Sequence, residues 1–431
     1  MVSDILNSAW ESCRDCDLLI EAPNAMAGIH IAEARHIPLF RAFTMPWTKT
    51  RAHPHAFLVP RTKRGGLYNL GSHVLFQQAY WQGISGLVNT WRKEKLGLPP
   101  TGLAQMQQDR IPFMYNFSPL VVSTPLDWDP WIKITGYWFL DEGASSNYSP
   151  PTALVNFIAK ARKDGKKLVY IGFGSIVIDD AATFTDKIVQ AVLQADVRCV
   201  LSKGWSGRLD TTANRANKSA ADAALPDSIY AIDKAPHDWL FAQMDAAVHH
   251  GGAGTTGASV RAGIPTIIKP FFGDQWFFGQ RVEDLGIGIC LYQIEVADLA
   301  QALKKITTNG RIKDRARELG EKVRSEDGVK VAIENIYRRL EYARGLVRER
   351  DEIAQAKAKA SIKEPSEGLE EGWTLVEEED DVELFEQRLQ RKGSDEVEDP
   401  AFAATLGPMG ASVMTRQEEN EDDEAYMNRL I

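Results

Sequence analysis

From residue 168 onward, short unbroken apolar runs alternate with segments in which apolar positions return every three or four residues. The first rhythm predicts buried strands and the second amphipathic helices. Strands are expected at 168–173, 198–202, 229–232, 246–249 and 266–269, and helices at 181–195, 237–244 and 277–285. Such alternation makes a parallel sheet covered on both faces, an α/β architecture. The earlier part is less regular. Strands at 17–20 and 38–42 flank a helix at 25–35, and a polar, aromatic stretch with Trp47, Trp81 and Trp91 ends in a strand-like run at 120–122. An open parallel sheet ordinarily begins with a strand and a glycine turn, whereas this chain begins inside a helix. The expectation is that several opening βα units of the first sheet are absent.

Ser145, Ser146, Asn147 and the Ser149-Pro150-Pro151 run predict a linker. The expected organisation is a partial first unit at 1–144, the linker at 145–152, a second unit with closing helices at 153–345, a charged helical extension at 346–363 and an acidic tail at 364–431. Carboxylates, few apolar residues and a Gly-Pro break predict disorder for that tail. Charge follows the same division: 21 of the 59 acidic but 5 of the 50 basic residues lie from Glu364 onward, leaving +7 on the body and −16 on the tail. A mildly basic body suits an anionic ligand or an acidic membrane surface, and no nucleic-acid-binding motif accompanies it. With no apolar run of about 18 residues, membrane contact is expected to be peripheral. Four cysteines without a signal-peptide pattern suit a reducing cytoplasm, and Cys13-x-x-Cys16 lacks the second pair of a zinc site. No metal is expected.

The candidate chemistry sits in one stretch. The strand at 246–249 runs into His250-Gly251-Gly252-Ala253-Gly254-Thr255-Thr256-Gly257. Without Cβ atoms the chain can bring bare backbone N–H groups, and the positive end of the following helix, against an oxygen-rich anion. A second strand and the polar Gly273-Asp274-Gln275 follow at α/β spacing, where sugar hydroxyls could be bound.

Several stretches are similar to those of the fungal sterol 3-beta-glucosyltransferases, inverting GT-B enzymes that use UDP-glucose. They are Asp17-Leu18-Leu19-Ile20-Glu21, Phe40 to Trp47, Thr135-Gly136-Tyr137-Trp138, Leu201-Ser202-Lys203-Gly204-Trp205, Ala235-Pro236-His237-Asp238-Trp239 and the 248–288 region. The resemblance implies two Rossmann-like parallel-sheet units, an incomplete acceptor-side unit first and a donor-binding unit second. It implies that Ala235 and His237 flank uracil and ribose. His250, with Gly251, Gly252, Ala253, Gly254 and Thr255, would hold the diphosphate, Asp274 and Gln275 the glucose, and Ser175 a wall of the site. Ala258 stands where plant relatives carry a ribose-binding Glu. The general base is expected in the absent opening units, so the catalytic residue stays unassigned; His30, His36, His53, His55 and His73 are read as packing or surface residues. The sterol would bind in the first unit, whose Phe43, Trp47, Phe57, Tyr68, Phe76, Tyr80 and Trp81 are read as core ahead of sterol contacts.

Glucosylation of a sterol 3-beta-hydroxyl at a membrane surface is thus the expected function. The alternatives are a donor-binding fragment without catalysis and an interaction protein acting through its tail. There Trp373-Thr374-Leu375-Val376, set among carboxylates, resembles the motif by which autophagy adaptors dock on a ubiquitin-like partner, with Trp373 and Val376 filling two pockets.

Overall fold

The computed structural model describes residues 2–139, 148–174, 176–178, 180–202, 204 and 225–363. The first unit comprises α1 (Val2–Ser12), β1 (Leu19–Glu21), α2 (Gly28–Arg35), β2 (Leu39–Phe43), α3 (Gly66–Trp91), β3 (Phe113–Tyr115) and β4 (Ile132–Ile134). Its strands form one parallel sheet in the order β1-β2-β3-β4. The carboxylate of buried Glu21 pins the entrance: it accepts from Gly28 N–H at 2.9 Å and from Arg41 Nε at 3.1 Å, tying β1 to α2 and β2. Against expectation, 120–122 is not a strand. The amides of Val121 and Val122 both bond the Ser118 carbonyl, at 3.0 and 3.1 Å, so Val121 and Val122 are buried from a turn while Leu120 stays exposed.

The second unit follows as α4 (Thr152–Lys163), β5 (Leu168–Gly172), α5 (Ala181–Ala195), β6 (Arg198–Ser202), β7 (Ile229–Ile232), α6 (His237–Phe241), β8 (Ala246–His249), α7 (Ala253–Ala262), β9 (Thr266–Ile268), α8 (Gln275–Asp284), β10 (Gly288–Cys290), α9 (Val296–Thr308), α10 (Gly310–Arg324) and α11 (Gly328–Lys363). The helix expected at 237–244 ends three residues early, and the one expected at 277–285 begins at Gln275. Its parallel sheet has the order β10-β9-β8-β5-β6-β7. Side chains alternate between two cores, Val169, Ile171 and Val248 on one face and Leu168, Tyr170 and Ala247 on the other, as strands covered on both sides require. From β5 the chain winds outward through β6 and β7, then returns to start β8 on the other side of β5. That reversal opens a crevice at the carboxyl ends of β5 and β8, where Gly172 is in register with His249.

The two units share a core. Phe113, Tyr115, Phe117 and Tyr137 of the first pack in one apolar cluster with Val260, Ile268, Phe277 and Phe278 of the second. The closing helix α11 returns to the first sheet, where Ala332 and Ala343 cover Phe40 and Met114. Arg110 grips Glu349 through two bonds of 2.8 and 2.7 Å, and Tyr342 stacks on Trp131 at 5.4 Å. Residues 346–363 simply continue α11. Residues 145–147 of the expected linker and the tail at 364–431, with Trp373 and Val376, lie outside the described residues. Among those described, no helix is long and apolar enough to cross a membrane.

Candidate functional site

Two glycine turns face each other across the crevice, one after β5 at Gly174 and one after β8 at Gly251-Gly252. Gly251 has φ +94°, a backbone conformation that L side chains rarely adopt, and a Cβ there would stand 2.5 Å from Ile268 Cγ2. His249 holds this turn from beneath. Its Nδ1 accepts the Gly251 N–H at 3.1 Å, which puts the ring proton on Nε2, 3.3 Å from the Ser259 hydroxyl. Complete burial keeps this imidazole neutral, its pKa well below the usual value.

His250 points the other way. Its ring lies between the two turns: a Cβ on Gly174 would be 3.5 Å from its Cε1, and one on Gly252 would be 2.6 Å from its Nε2. Burial, then the neighbouring His237, lower its pKa to about 4, and its Nδ1 is buried with no hydrogen-bond partner. A buried polar nitrogen without a partner costs about 1–3 kcal/mol, so a ligand that satisfies it recovers that amount.

Helix α7 supplies the rest of the anion site. Its first internal bond runs from Thr256 N–H to Gly252 O at 2.9 Å, which leaves the amides of Ala253, Gly254 and Thr255 without an intrahelical acceptor. Open space stands over Gly254, where a Cβ would meet nothing within 4 Å. Asp274 reaches the same helix entrance. Burial pushes its carboxyl up to about 6, opposed by hydrogen bonds from its own amide and that of Ala253. Asp274, His250 and the glycine turn are therefore brought together at one point.

Gln275 is placed differently from expectation. It is buried as the first residue of α8, and its carboxamide oxygen accepts from the amides of Phe271 and Phe272 at 2.8 and 3.2 Å. That oxygen shapes the loop, so it is not available to a sugar. His237 begins α6, stacks on Phe241 at 4.6 Å and sits edge-on to Tyr170 at 5.7 Å; Ala235, just before it, packs against the core beneath. Ser175 lies outside the described residues.

Two contributors from the first unit escaped the sequence reading. The Phe57 ring lies 2.6 Å from where a Cβ on Gly273 (φ +63°) would be, and Tyr137 lies 2.7 Å from that of Gly257. Phe57 begins an aromatic series, stacking on Phe76 at 5.4 Å, which in turn stacks on Tyr80 at 5.7 Å. The series leads from the Gly273-Asp274 loop into a cavity of the first unit that is open to solvent, with Trp47, Trp81, Ile84 and Met106 among its walls. Of the aromatics read as core, Trp47, Phe76, Tyr80 and Trp81 therefore border open space. The first-unit histidines are partly committed elsewhere, although His53 Nε2, His55 Nε2 and His73 Nδ1 are also buried without a partner, and His55 and His73 line this cavity. His30 Nδ1 meets Arg92, His36 pairs with Asp351 and His55 Nδ1 accepts the Phe57 amide.

The chain is similar to known proteins along most of its length. Residues 4–54 match the glycosyltransferase family 28 N-terminal domain, and residues 209–334 the erythromycin biosynthesis protein CIII-like C-terminal domain. The chain is 54% identical over 402 residues to a sterol 3-beta-glucosyltransferase of Aspergillus oryzae, covering 91% of this chain and 29% of that protein. A Sclerotinia sclerotiorum protein of the same name is 55% identical over 386 residues, 90% of this chain and 26% of that one. This chain thus spans less than a third of the length of these relatives. Among solved structures, the glycosyltransferase of kitacinnamycin superposes with a TM-score of 0.58 at 15% identity, covering 79% of this chain and 80% of that one. The calicheamicin glycosyltransferase CalG4 gives 0.53 at 17%, covering 77% of each. With the GT-B fold and 54% identity over nine-tenths of its residues, the chain belongs to the fungal sterol 3-beta-glucosyltransferase family.

Proposed function

We propose that this chain binds UDP-glucose in the crevice between β5 and β8 and serves transfer of the glucose, with inversion, to the 3-beta-hydroxyl of a sterol taken from a membrane surface. The observation that carries the reading is His250, a neutral imidazole with an unpartnered buried nitrogen, held between two glycine turns and beside a helix entrance whose first amides, those of Ala253, Gly254 and Thr255, have no intrahelical acceptor, that of Ala253 turning to Asp274. Departure of UDP concentrates negative charge on the diphosphate. Amides fixed in place before the reaction stabilise that charge without reorganising, and the His250 N–H adds a donor. Asp274, at the same entrance, suits a sugar hydroxyl. The sterol name of the relatives supports a flat apolar acceptor, for which the aromatic walls of the first unit's cavity have suitable chemistry. Four free cysteines support a reducing, cytoplasmic setting.

Calorimetric titration with UDP and assay of labelled glucose transfer to ergosterol test the two halves separately. His250→Ala is expected to weaken UDP about tenfold or more, the loss of one hydrogen bond to a charged group. Absence of any heat with UDP for the unaltered chain would sink the donor assignment. Transfer without added protein would make it an enzyme by itself, and binding without transfer a donor-binding piece. A second reading rests on the sequence of the tail, where Trp373 and Val376 in an acidic run suit docking on a ubiquitin-like autophagy protein. A tail peptide that binds this partner equally well after Trp373→Ala would remove it.

A further inference from the structure

Among the labelled helices, α3 alone has no Asp, Glu, Lys or Arg, over 26 residues in a chain that is 25% charged. Its inner face, with His73, Phe76, Tyr80, Trp81 and Ile84, lines the first unit's cavity. Positions 67, 71, 75, 78, 82 and 86 recur at intervals of three or four and share the opposite face. There Leu67 is 58% and Leu75 44% exposed; Leu87, 48% exposed, lies at the C-terminal end and faces another side of the helix. Toward the same end a Cβ at Gly83 or Gly86 would meet nothing within 4 Å, so no described element covers that turn. A helix face turned to bulk water ordinarily gathers Lys and Glu. This face instead offers leucine, glycine and uncharged amides, while cations stand at its two ends. Lys63 and Arg64 precede it and Lys93 and Lys95 follow it, all exposed, with Glu94 the one acid among them and Lys63 also reaching Asp284 at 2.7 Å.

We propose that the outer face of α3 rests on the surface of a bilayer containing anionic phospholipid. Leu67 and Leu75 enter the boundary of the acyl chains, and the flanking cations meet lipid phosphates. The inference rests on reading the acceptor as a membrane sterol, and it adds the surface through which the chain meets that membrane. An uncharged strip between cationic ends matches a bilayer, which presents phosphate around hydrocarbon; a second copy of α3 would set like charges against one another. The helix lies along the surface and does not span it. Because its other side is a wall of the cavity, the docked helix separates lipid from the proposed acceptor space by its own thickness.

The test is flotation of the full chain with phosphatidylcholine vesicles containing about a quarter phosphatidylserine, without nucleotide sugar or sterol. A defective donor site therefore cannot disturb it. The bound fraction is expected to fall about tenfold or more in Leu67→Ser/Leu75→Ser. Lys93→Glu/Lys95→Glu should weaken binding to these vesicles and leave the weaker binding to pure phosphatidylcholine unchanged. Unchanged UDP affinity in both variants reports an intact second unit, and an unchanged circular dichroism spectrum an intact helix. The proposal is overturned if the unaltered chain stays with the soluble fraction, if the leucine variant floats as the unaltered chain does, or if those leucines instead hold together a dimer in solution.

Discussion

At the end of β8 two adjacent histidines turn in opposite directions, one to the core and one to the crevice. Strand geometry dictates this, since successive side chains point to opposite faces. His249 is spent on the Gly251 amide and Ser259, whereas His250 keeps a nitrogen without a partner. Gly251 is the residue on which both depend. At φ +94° it must accept no Cβ, and Ile268 Cγ2 fills the place where one would go. Gly251→Ala is expected to cost about 1–3 kcal/mol in urea unfolding, and to lose UDP binding because the amides behind it swing away. Full stability in that variant would mean that the turn relaxes without strain. The glycine turn was legible in the sequence because glycine reports a local backbone need. The roles of Phe57 and Tyr137 were not, since each is set by the docking of one unit on the other. The placing of the Gln275 carboxamide oxygen was not legible for a related reason: whether it faces a ligand or its own loop depends on where α8 begins.

Between elements, the decisive contacts of the first unit are polar and buried. Arg92, 1% exposed at the end of α3, binds His30 Nδ1 at 2.8 Å, both Glu33 oxygens at 2.7 and 3.1 Å and the Pro99 carbonyl at 2.9 Å. One guanidinium thus joins α2, α3 and the following loop. Arg92→Leu leaves the His30 nitrogen and the Pro99 carbonyl unpaired, and is expected to cost about 3 kcal/mol, the lower end for breaking a buried pair because Glu33 keeps some access to water. Equilibrium urea unfolding measures it; a loss below about 1 kcal/mol would show that the pair acts like a surface one. Such pins are invisible to a reading based on apolar rhythm. The same limit explains the strands. In the second unit β6, β7 and β8 match their expected bounds because strands buried on both faces are unbroken apolar runs. In the first unit β3 and β4 have three residues each, too few to display a period, while the apolar 120–122 run supplies core from a turn.

Across the whole molecule, buried histidines link stability to pH. Burial lowers His30 and His53 to about 3 and His73 and His250 to about 4, and holds His55 and His249 well below the ordinary 6.5. The unfolded chain takes up a proton at each as pH falls through about 6.5, while the folded chain refuses it until far lower. Each group therefore removes up to about 1.4 kcal/mol of stability per pH unit below that point. Asp274 works in the opposite sense between about 6 and its unfolded 3.8, being protonated first in the folded state, and Glu326, also raised by burial, joins it, but these are two groups against six. Stability is expected to be level above about pH 7 and to fall steeply from about 6.5 toward 5. His73 lies 6.1 Å from the His53 ring and 5.3 Å from that of His55, with His55 against Phe76 and His53 against Phe277. His53→Asn removes one of the titrating groups, so its stability should depend less steeply on pH, whatever the substitution does to the absolute value. Urea unfolding of both proteins across this range provides the comparison. Equal slopes would mean that His53 takes its proton in the folded state as readily as in the unfolded one, and that its burial between the units is not what the packing of Trp128 and Phe277 around it requires.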